Sequence, residues 1–241
     1  MIKRVIFDVD NTLIEWKDEY DYEVNKALDE MNIKYNDVEV KSLYKAIMSY
    51  EEDNYIFDID KMWEFVKFYT KKQYPKELLI KIIEKWGNCT ESQASDELID
   101  VLQYLKNKYE MVTLTDWYLK PQVNRLKRLG IDKFFSEMYG AENFRRKPFP
   151  DGFLKAKGNH LPEECVLIGD NLERDIEGAI NVGINAIWYS PKNKDIRVNE
   201  KLDIYCEKNE DIKLVRNIDK NSNTELKFKI IHNLVQLKEI L

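Results

Sequence analysis

The chain opens with a short apolar run, Ile2, Val5, Ile6 and Phe7, that stops abruptly at Asp8. An apolar run that does not alternate is the pattern of a strand buried on both faces. Helical periodicity then takes over. Trp16, Tyr20, Val24, Ala27, Leu28 and Met31 fall on one stripe, and Val40, Leu43, Tyr44, Ile47 and Met48 on a second. Met62, Phe65, Val66 and Tyr69 make a third. A fourth, Leu78, Leu79, Ile82, Ile83 and Trp86, is opened by Pro75 and closed by Gly87, residues favoured at the start of a helix and just past its end. No strand pattern interrupts these stripes, so residues 15–89 read as an inserted helical bundle whose aromatic residues are mostly its core.

From Cys89 onward helices and strands alternate. Ser95 is placed to cap a helix through Leu98, Val101, Leu102 and Leu105. A strand Met111–Thr115, a helix from Pro121 to Gly130, an apolar piece at Phe134–Tyr139 and a helix after Pro150 follow. Cys165–Ile168 reads as a second buried strand, leading into a helix Leu172–Val182 and a strand Asn185–Tyr189. Ile204–Cys206 and Ile212–Ile218 add a strand and a helix, and Leu226, Ile230, Leu234, Leu237 and Leu241 predict a terminal helix. This alternation builds an α/β core, a parallel sheet with helices on both faces. Its predicted extent is residues 1–14 and 90–219, interrupted by the helical insert 15–89 and followed by a C-terminal helical extension 220–241.

Composition narrows the chemistry. The 241 residues suffice for one or two domains with a sizeable core. A net charge of −6 gives no basic field for a nucleic acid or an anionic membrane, and no uncharged apolar run approaches a bilayer span. The first residues, MIKRVIFDVD, show no secretory h-region. Cys89, Cys165 and Cys206 are far apart and include no CxxC pair, which suits reduced thiols in a cytoplasm. With only His160 and His232 available, a Ser-His-Asp triad or a His-rich zinc site has little raw material. The chemistry must lean on carboxylates.

Open α/β sheets bind ligands at the carboxyl ends of their strands. There the first strand carries Asp8-Val9-Asp10-Asn11-Thr12, the second Thr115-Asp116, and the later one Gly169-Asp170-Asn171 with Asp175 beyond. Lys147 lies between the last two, in Arg145-Arg146-Lys147-Pro148-Phe149-Pro150. Acidic groups gathered at neighbouring strand ends repel one another unless a cation joins them. A hard divalent ion with oxygen ligands, above all Mg2+, meets that demand.

In this order and spacing the residues resemble the haloacid dehalogenase-like superfamily of hydrolases. Asp8-Val9-Asp10-Asn11-Thr12-Leu13 is similar to its DxDxT motif, Thr115 to its second motif, Lys147 to its third, and Gly169-Asp170 with Asp175 to its fourth. The resemblance spans about Ile2 to Tyr189 and implies a Rossmann-like core with the insert as a helical cap domain. It further implies that Asp8 is a nucleophile carrying an aspartyl-phosphate, and that Asp10 is the general acid and base. Thr115 would donate to the phosphoryl oxygen, and Lys147 would neutralise it together with Asp8. Mg2+, the one cofactor expected, would be held by Asp8, the Asp10 carbonyl and Asp170, with Asp175 orienting Lys147 or metal-bound water. The expected partner is a small phosphorylated substrate, with no nucleic acid and no membrane; the sequence leaves the oligomeric state open.

Two features depart from the family pattern. Family members usually follow the motif-two Thr or Ser with Asn or Gly, whereas here Asp116 and Trp117 stand. Asp116 is expected to cap the helix that follows, where acids are favoured. Asn11 occupies a position where glycine is common, and asparagine tolerates the left-handed backbone. The segment from Asp53 to Asp60 is the part of the insert expected to touch substrate, and the chain crossings near Leu13–Glu15 and Cys89–Ser92 are expected hinges. A phosphatase is the leading reading, with a phosphomutase of the same family or a non-catalytic phosphoacceptor module as alternatives. Asp10 argues against a true dehalogenase, which lacks the second acid.

Overall fold

A computed structural model describes residues 1–15, 20–89, 93–142, 144–191, 202–206, 211–216 and 224–241. Strand β1 (Arg4–Phe7) is followed by helices α1 (Tyr20–Glu30), α2 (Asp37–Asp53), α3 (Ile59–Thr70), α4 (Lys76–Trp86) and α5 (Asp96–Lys106). Then come β2 (Glu110–Leu114), α6 (Leu119–Arg128), β3 (Glu137–Tyr139), α7 (Pro150–Ala156) and β4 (Cys165–Gly169). A π-helical stretch, Leu172–Glu177, runs into α8 (Gly178–Asn181). The chain finishes with β5 (Asn185–Tyr189), β6 (Leu202–Cys206), β7 (Asp211–Arg216), β8 (Thr224–Ile231) and α9 (Leu237–Ile240).

The strands form one sheet in the order β3-β2-β1-β4-β5-β8-β7-β6. From β3 to β8 all neighbours are parallel, and β7 joins antiparallel to both β8 and β6. This is a Rossmann-like sheet with β1 near its centre. Alternation along β1 divides the core between the two faces. Val5 and Phe7 pack with α5, α6 and α9 through Leu102, Leu126 and Leu237. Ile6 packs with α7 and α8 through Phe153 and Ala179 on the other face. Ser95 caps α5 as expected, its hydroxyl accepting from the Leu98 N–H at 3.2 Å.

The four insert stripes become α1 to α4, with a core of their own around Leu28, Leu43, Ile47, Met62, Leu79 and Trp86. Helix α2 begins in a capping box: Asn36 accepts from the N–H groups of Val38 and Glu39, while Glu39 reaches back to the Asn36 N–H. Trp117 and Tyr118 of the α/β unit complete this cluster, so the two units share packing. Trp16 and residues 90–92, including part of one expected hinge, lie outside the described residues.

Two expectations for the C-terminal part are corrected. The predicted helix at Ile212–Ile218 is strand β7 over Asp211–Arg216. The predicted terminal helix is largely strand β8, paired parallel to β5, with only the short α9 at its end. Leu226 and Ile230 fit both a helical stripe and a strand face, because four residues are two strand periods as well as about one helical turn. Phe228, buried midway between them, decides for the strand.

The insert core generates a stability prediction. Leu43 is fully buried there, so Leu43→Ala is expected to cost about 3 kcal/mol in urea unfolding. A loss below about 1 kcal/mol would mean that the helices do not close on that residue.

Candidate active site

Strand β1 ends against Asp8, whose N–H donates to the Ile168 carbonyl at 2.9 Å and so extends the β1–β4 ladder by one residue. The chain then turns sharply. Leu13 and Ile14 donate back to the Val9 carbonyl, and Asn11 sits at φ +60°, the left-handed conformation its side chain tolerates. The turn leaves Asp8 buried at the mouth of the sheet, one carboxylate oxygen accepting from the Thr12 hydroxyl at 3.2 Å.

Lys147 arrives from the segment between β3 and α7. Its Nζ lies 2.6 Å from Asp8 Oδ1 and 2.5 Å from Asp175 Oδ1. The other Asp175 oxygen accepts the Asn171 N–H at 3.0 Å, so both its oxygens are engaged. Asn171 caps the π-helical stretch through its own side chain, accepting from the Arg174 N–H. Gly169 is required for this arrangement: a Cβ there would lie 2.4 Å from the Asp175 carboxyl group. Asp170 stands beside it, its carbonyl held by Trp188 Nε1 at 2.8 Å.

Asp8, Asp170 and Asp175 each bring a carboxylate oxygen within 4.8 Å of the others. The donor set is all oxygen, which suits Mg2+ better than zinc. Asp8 and Asp175 both also bind Lys147, and with Asp170 they form a set of side chains that could hold an ion. Electrostatics carries the same message. Burial pushes Asp8 well above the usual carboxylate range; Lys147 opposes this, and Asp175, Asp170 and Asp10 add to it. For Lys147, burial disfavours the ammonium but is outweighed by Asp175, Asp8 and Asp116, so it titrates well above an ordinary lysine. The site holds its lysine charged and still lacks positive charge.

Asp10 faces α6 rather than the three-carboxylate cluster. Gln122 Nε2 donates to one of its oxygens at 2.5 Å, and the fully buried Arg125 pairs with the other. Gln122 also donates to Thr115 Oγ1 at 2.9 Å, and the Trp117 N–H donates there at 3.3 Å. With two donors on its oxygen, the Thr115 hydroxyl has its own proton to give elsewhere. Gln122 and Arg125 were not anticipated, yet the sequence carries their signal: both lie on the stripe of α6 that also buries Leu126, and polar residues on a buried face call for partners.

Asp116 does not cap α6. Its Oδ1 accepts the Lys147 N–H at 2.8 Å, and α6 starts at Tyr118 without a side-chain cap. The carboxylate therefore secures the backbone of Lys147, with Arg174 at 3.9 Å from its other oxygen.

A cleft of about 320 Å3 opens over these residues and is closed from the insert by Met48, Glu51, Glu52 and Phe57. The segment between α2 and α3, expected to reach the site, does so through its backbone. Arg146 N–H donates to the Tyr55 carbonyl at 2.7 Å, Arg146 Nη2 to the Glu52 carbonyl at 2.7 Å, and the Phe57 N–H to the Ala141 carbonyl at 3.2 Å. Glu51, buried at 7% exposure, accepts Trp117 Nε1 at 3.2 Å. Burial lifts its carboxyl from 4.5 to about 7, against lowering by Trp117 and Arg146 and with a small push from Asp10.

The folded chain therefore holds a proton on Glu51 between pH 4.5 and about 7, where the unfolded chain has lost it. This group's contribution to stability falls as pH rises through that window, and the deficit persists above it. Glu51→Gln is expected to unfold at higher denaturant than the wild type near pH 8, by about 2 kcal/mol, with the gap closing near pH 4. A gap independent of pH would show that Glu51 titrates normally.

The comparisons with known proteins agree with this geometry. Residues 5–189 match the family model of the haloacid dehalogenase-like hydrolases. The chain is 26% identical over 196 residues to a glyceraldehyde 3-phosphate phosphatase of Pyrococcus furiosus, covering 78% of this chain and 80% of that one. It is 33% identical over 100 residues to the 5-amino-6-(5-phospho-D-ribitylamino)uracil phosphatase YigB of Escherichia coli, which covers 40% of each chain. Among solved structures, a 2-haloacid dehalogenase from Pseudomonas syringae superposes with a TM-score of 0.68 at 22% identity, over 100% of this chain and 98% of that one. Magnesium-bound YfnB from Bacillus subtilis gives 0.61 at 18% identity, with the same coverage, and these two likenesses speak for the fold alone. With the family model spanning the whole run from β1 to β5, the chain belongs to the haloacid dehalogenase-like hydrolases.

Proposed function

We propose that this chain is a Mg2+-dependent phosphatase of a small phosphorylated metabolite, working through an aspartyl-phosphate on Asp8. The observation that carries the reading is the pairing of buried Asp8 with Lys147, within ion-sharing distance of Asp170 and with Asp10 held at the same mouth. The phosphatase names of two relatives support it. Asp8, Asp170 and the Asp10 carbonyl would hold Mg2+, which would supply the positive charge that the carboxylates and a phosphate jointly require.

An Asp8 oxygen attacks phosphorus and the bond to the leaving oxygen breaks, with a proton from the Asp10 carboxyl neutralising the alkoxide. Water then attacks the phosphoryl group, gives its proton to Asp10, and Asp8 leaves as carboxylate. Lys147 neutralises charge on Asp8 and the phosphoryl oxygens throughout, and the Thr115 proton is available to one of those oxygens. Gln122 and Arg125 fix Asp10 between the two proton transfers, and for each transfer one of its oxygens turns from them to the substrate. A phosphoacceptor module would leave this grip on Asp10 without purpose. The helical insert acts as the cap, excluding water from the intermediate.

On a panel of phosphomonoesters with Mg2+, Asp8→Asn and excess chelator are each expected to reduce turnover to background. Turnover near the wild-type rate in either case would sink the mechanism. Arg125→Met is expected to lower kcat by about tenfold or more with KM little changed, since a misplaced acid or base forfeits part of its contribution. Arg125→Lys should recover part of the loss. A change confined to KM would show that Arg125 serves substrate binding instead.

A further inference from the structure

Glu51 stands where stability argues against it. It belongs to the last turn of α2 together with Glu52 and Asp53, at the negative end of the helix dipole, where acids are disfavoured. Burial raises the cost of its charge. A carboxylate kept in such a position signals a requirement other than folding. Its one hydrogen bond among the described residues, from Trp117 Nε1, would be served as well by a neutral glutamine, and a carboxylate can accept several more.

The surroundings define what those further donors are. Glu51 lines the same cleft as Asp8 and Asp10, and its neighbours there include the apolar walls of Met48, Phe57 and Trp117. Trp117 lies two residues past Thr115, so its bond fixes Glu51 relative to the catalytic strand end. Two guanidinium groups near this end have partners within the protein, one through a hydrogen bond and one through a longer ion pair. Arg146 donates to the Glu52 carbonyl and lies over the Phe57 ring, and Arg174 faces Asp116. The end of the cleft away from Lys147 thus offers a hydrogen-bond acceptor and apolar surface. A carboxylate on the leaving group would meet Glu51 as a like charge.

We infer that Glu51 is a specificity-determining residue that accepts hydrogen bonds from hydroxyl groups of the leaving group, so that the substrate is the phosphomonoester of a small, uncharged polyol. This rests on the phosphatase reading above. A cleft of about 320 Å3 suits a leaving group of a few carbons whose C–H faces pack on Phe57 and Trp117 while its hydroxyls point to Glu51.

The test compares, at pH 8 where Glu51 is ionised, kcat/KM for glycerol 3-phosphate, n-propyl phosphate and 3-phosphoglycerate, with p-nitrophenyl phosphate as a general reading of phosphatase chemistry. The wild type is expected to prefer glycerol 3-phosphate to each of the other two by about tenfold or more, as one charge-assisted hydrogen bond gives. Glu51→Gln should reduce both preferences by about tenfold, the one over 3-phosphoglycerate mainly through a gain on that substrate. Trp117→Phe, which removes the tie but keeps the carboxylate, should retain the order of preference. Equal loss in both variants would reduce Glu51 to a fastener between the two units and overturn the inference, as would unchanged ratios in Glu51→Gln. A wild type that hydrolyses all three esters without preference overturns the inference and leaves the phosphatase reading standing. Failure on every ester, p-nitrophenyl phosphate included, overturns both.

Discussion

The contact on which this molecule turns is the ammonium group of Lys147 lodged between Asp8 and Asp175. Every strand end nearby contributes negative charge, and burial removes the water that would screen it. Removing one partner of a buried pair leaves the other uncompensated, which costs more than the pair is worth. The architecture around the lysine follows from that constraint. Asp116 fixes its backbone N–H, Asp175 its head group, and Gly169 makes the room that lets Asp175 fold back over the strand end. One lysine cannot balance the remaining carboxylates, and that shortfall is the physical case for a divalent ion beside Asp8 and Asp170.

Much of this was legible in the chain because strand ends and turn residues are local features. The apolar run ending at Asp8, Gly169 before Asp170, and Asn11 in a left-handed turn each announce themselves within a few residues. The alternation from α5 to β5 likewise rests on local periodicity. Legibility failed where two periods coincide. Leu226 and Ile230 served a helix reading as well as a strand, and only the burial of Phe228 between them separates the two. It failed again where a side chain's partner is remote in sequence. Nothing near Asp116 indicates that its hydrogen bond goes to Lys147, because that pairing exists only once β2 and the segment after β3 lie side by side.

Gln122 and Arg125 fall between these cases. Their places on the buried face of α6 are visible from helical spacing, and a buried arginine demands an acid. The identity of that acid is tertiary information. It is Asp10 because α6 packs on the face of the sheet that Val9, Leu13 and Leu126 share. Both oxygens of Asp10 are thereby engaged by α6. In the proposed mechanism a substrate must compete with this grip for one of those oxygens.

The departures at motif two acquire a meaning on this frame. Asp116 and Trp117 follow Thr115 directly: one holds Lys147, the other reaches into the helical insert and binds Glu51. Tyr118, next in line, stacks on Phe57 at a centroid distance of 5.0 Å. Three consecutive residues thus link the strand that presents Thr115 to both the charge balance of the site and the closure of the cleft. On the other side, Arg146 and Lys147 repeat the arrangement, the first tied to the Glu52 and Tyr55 carbonyls and the second to Asp8. The insert is thus gripped by residues adjacent to Thr115 and Lys147, and the α2–α3 segment is tied to the mouth of the sheet from both sides.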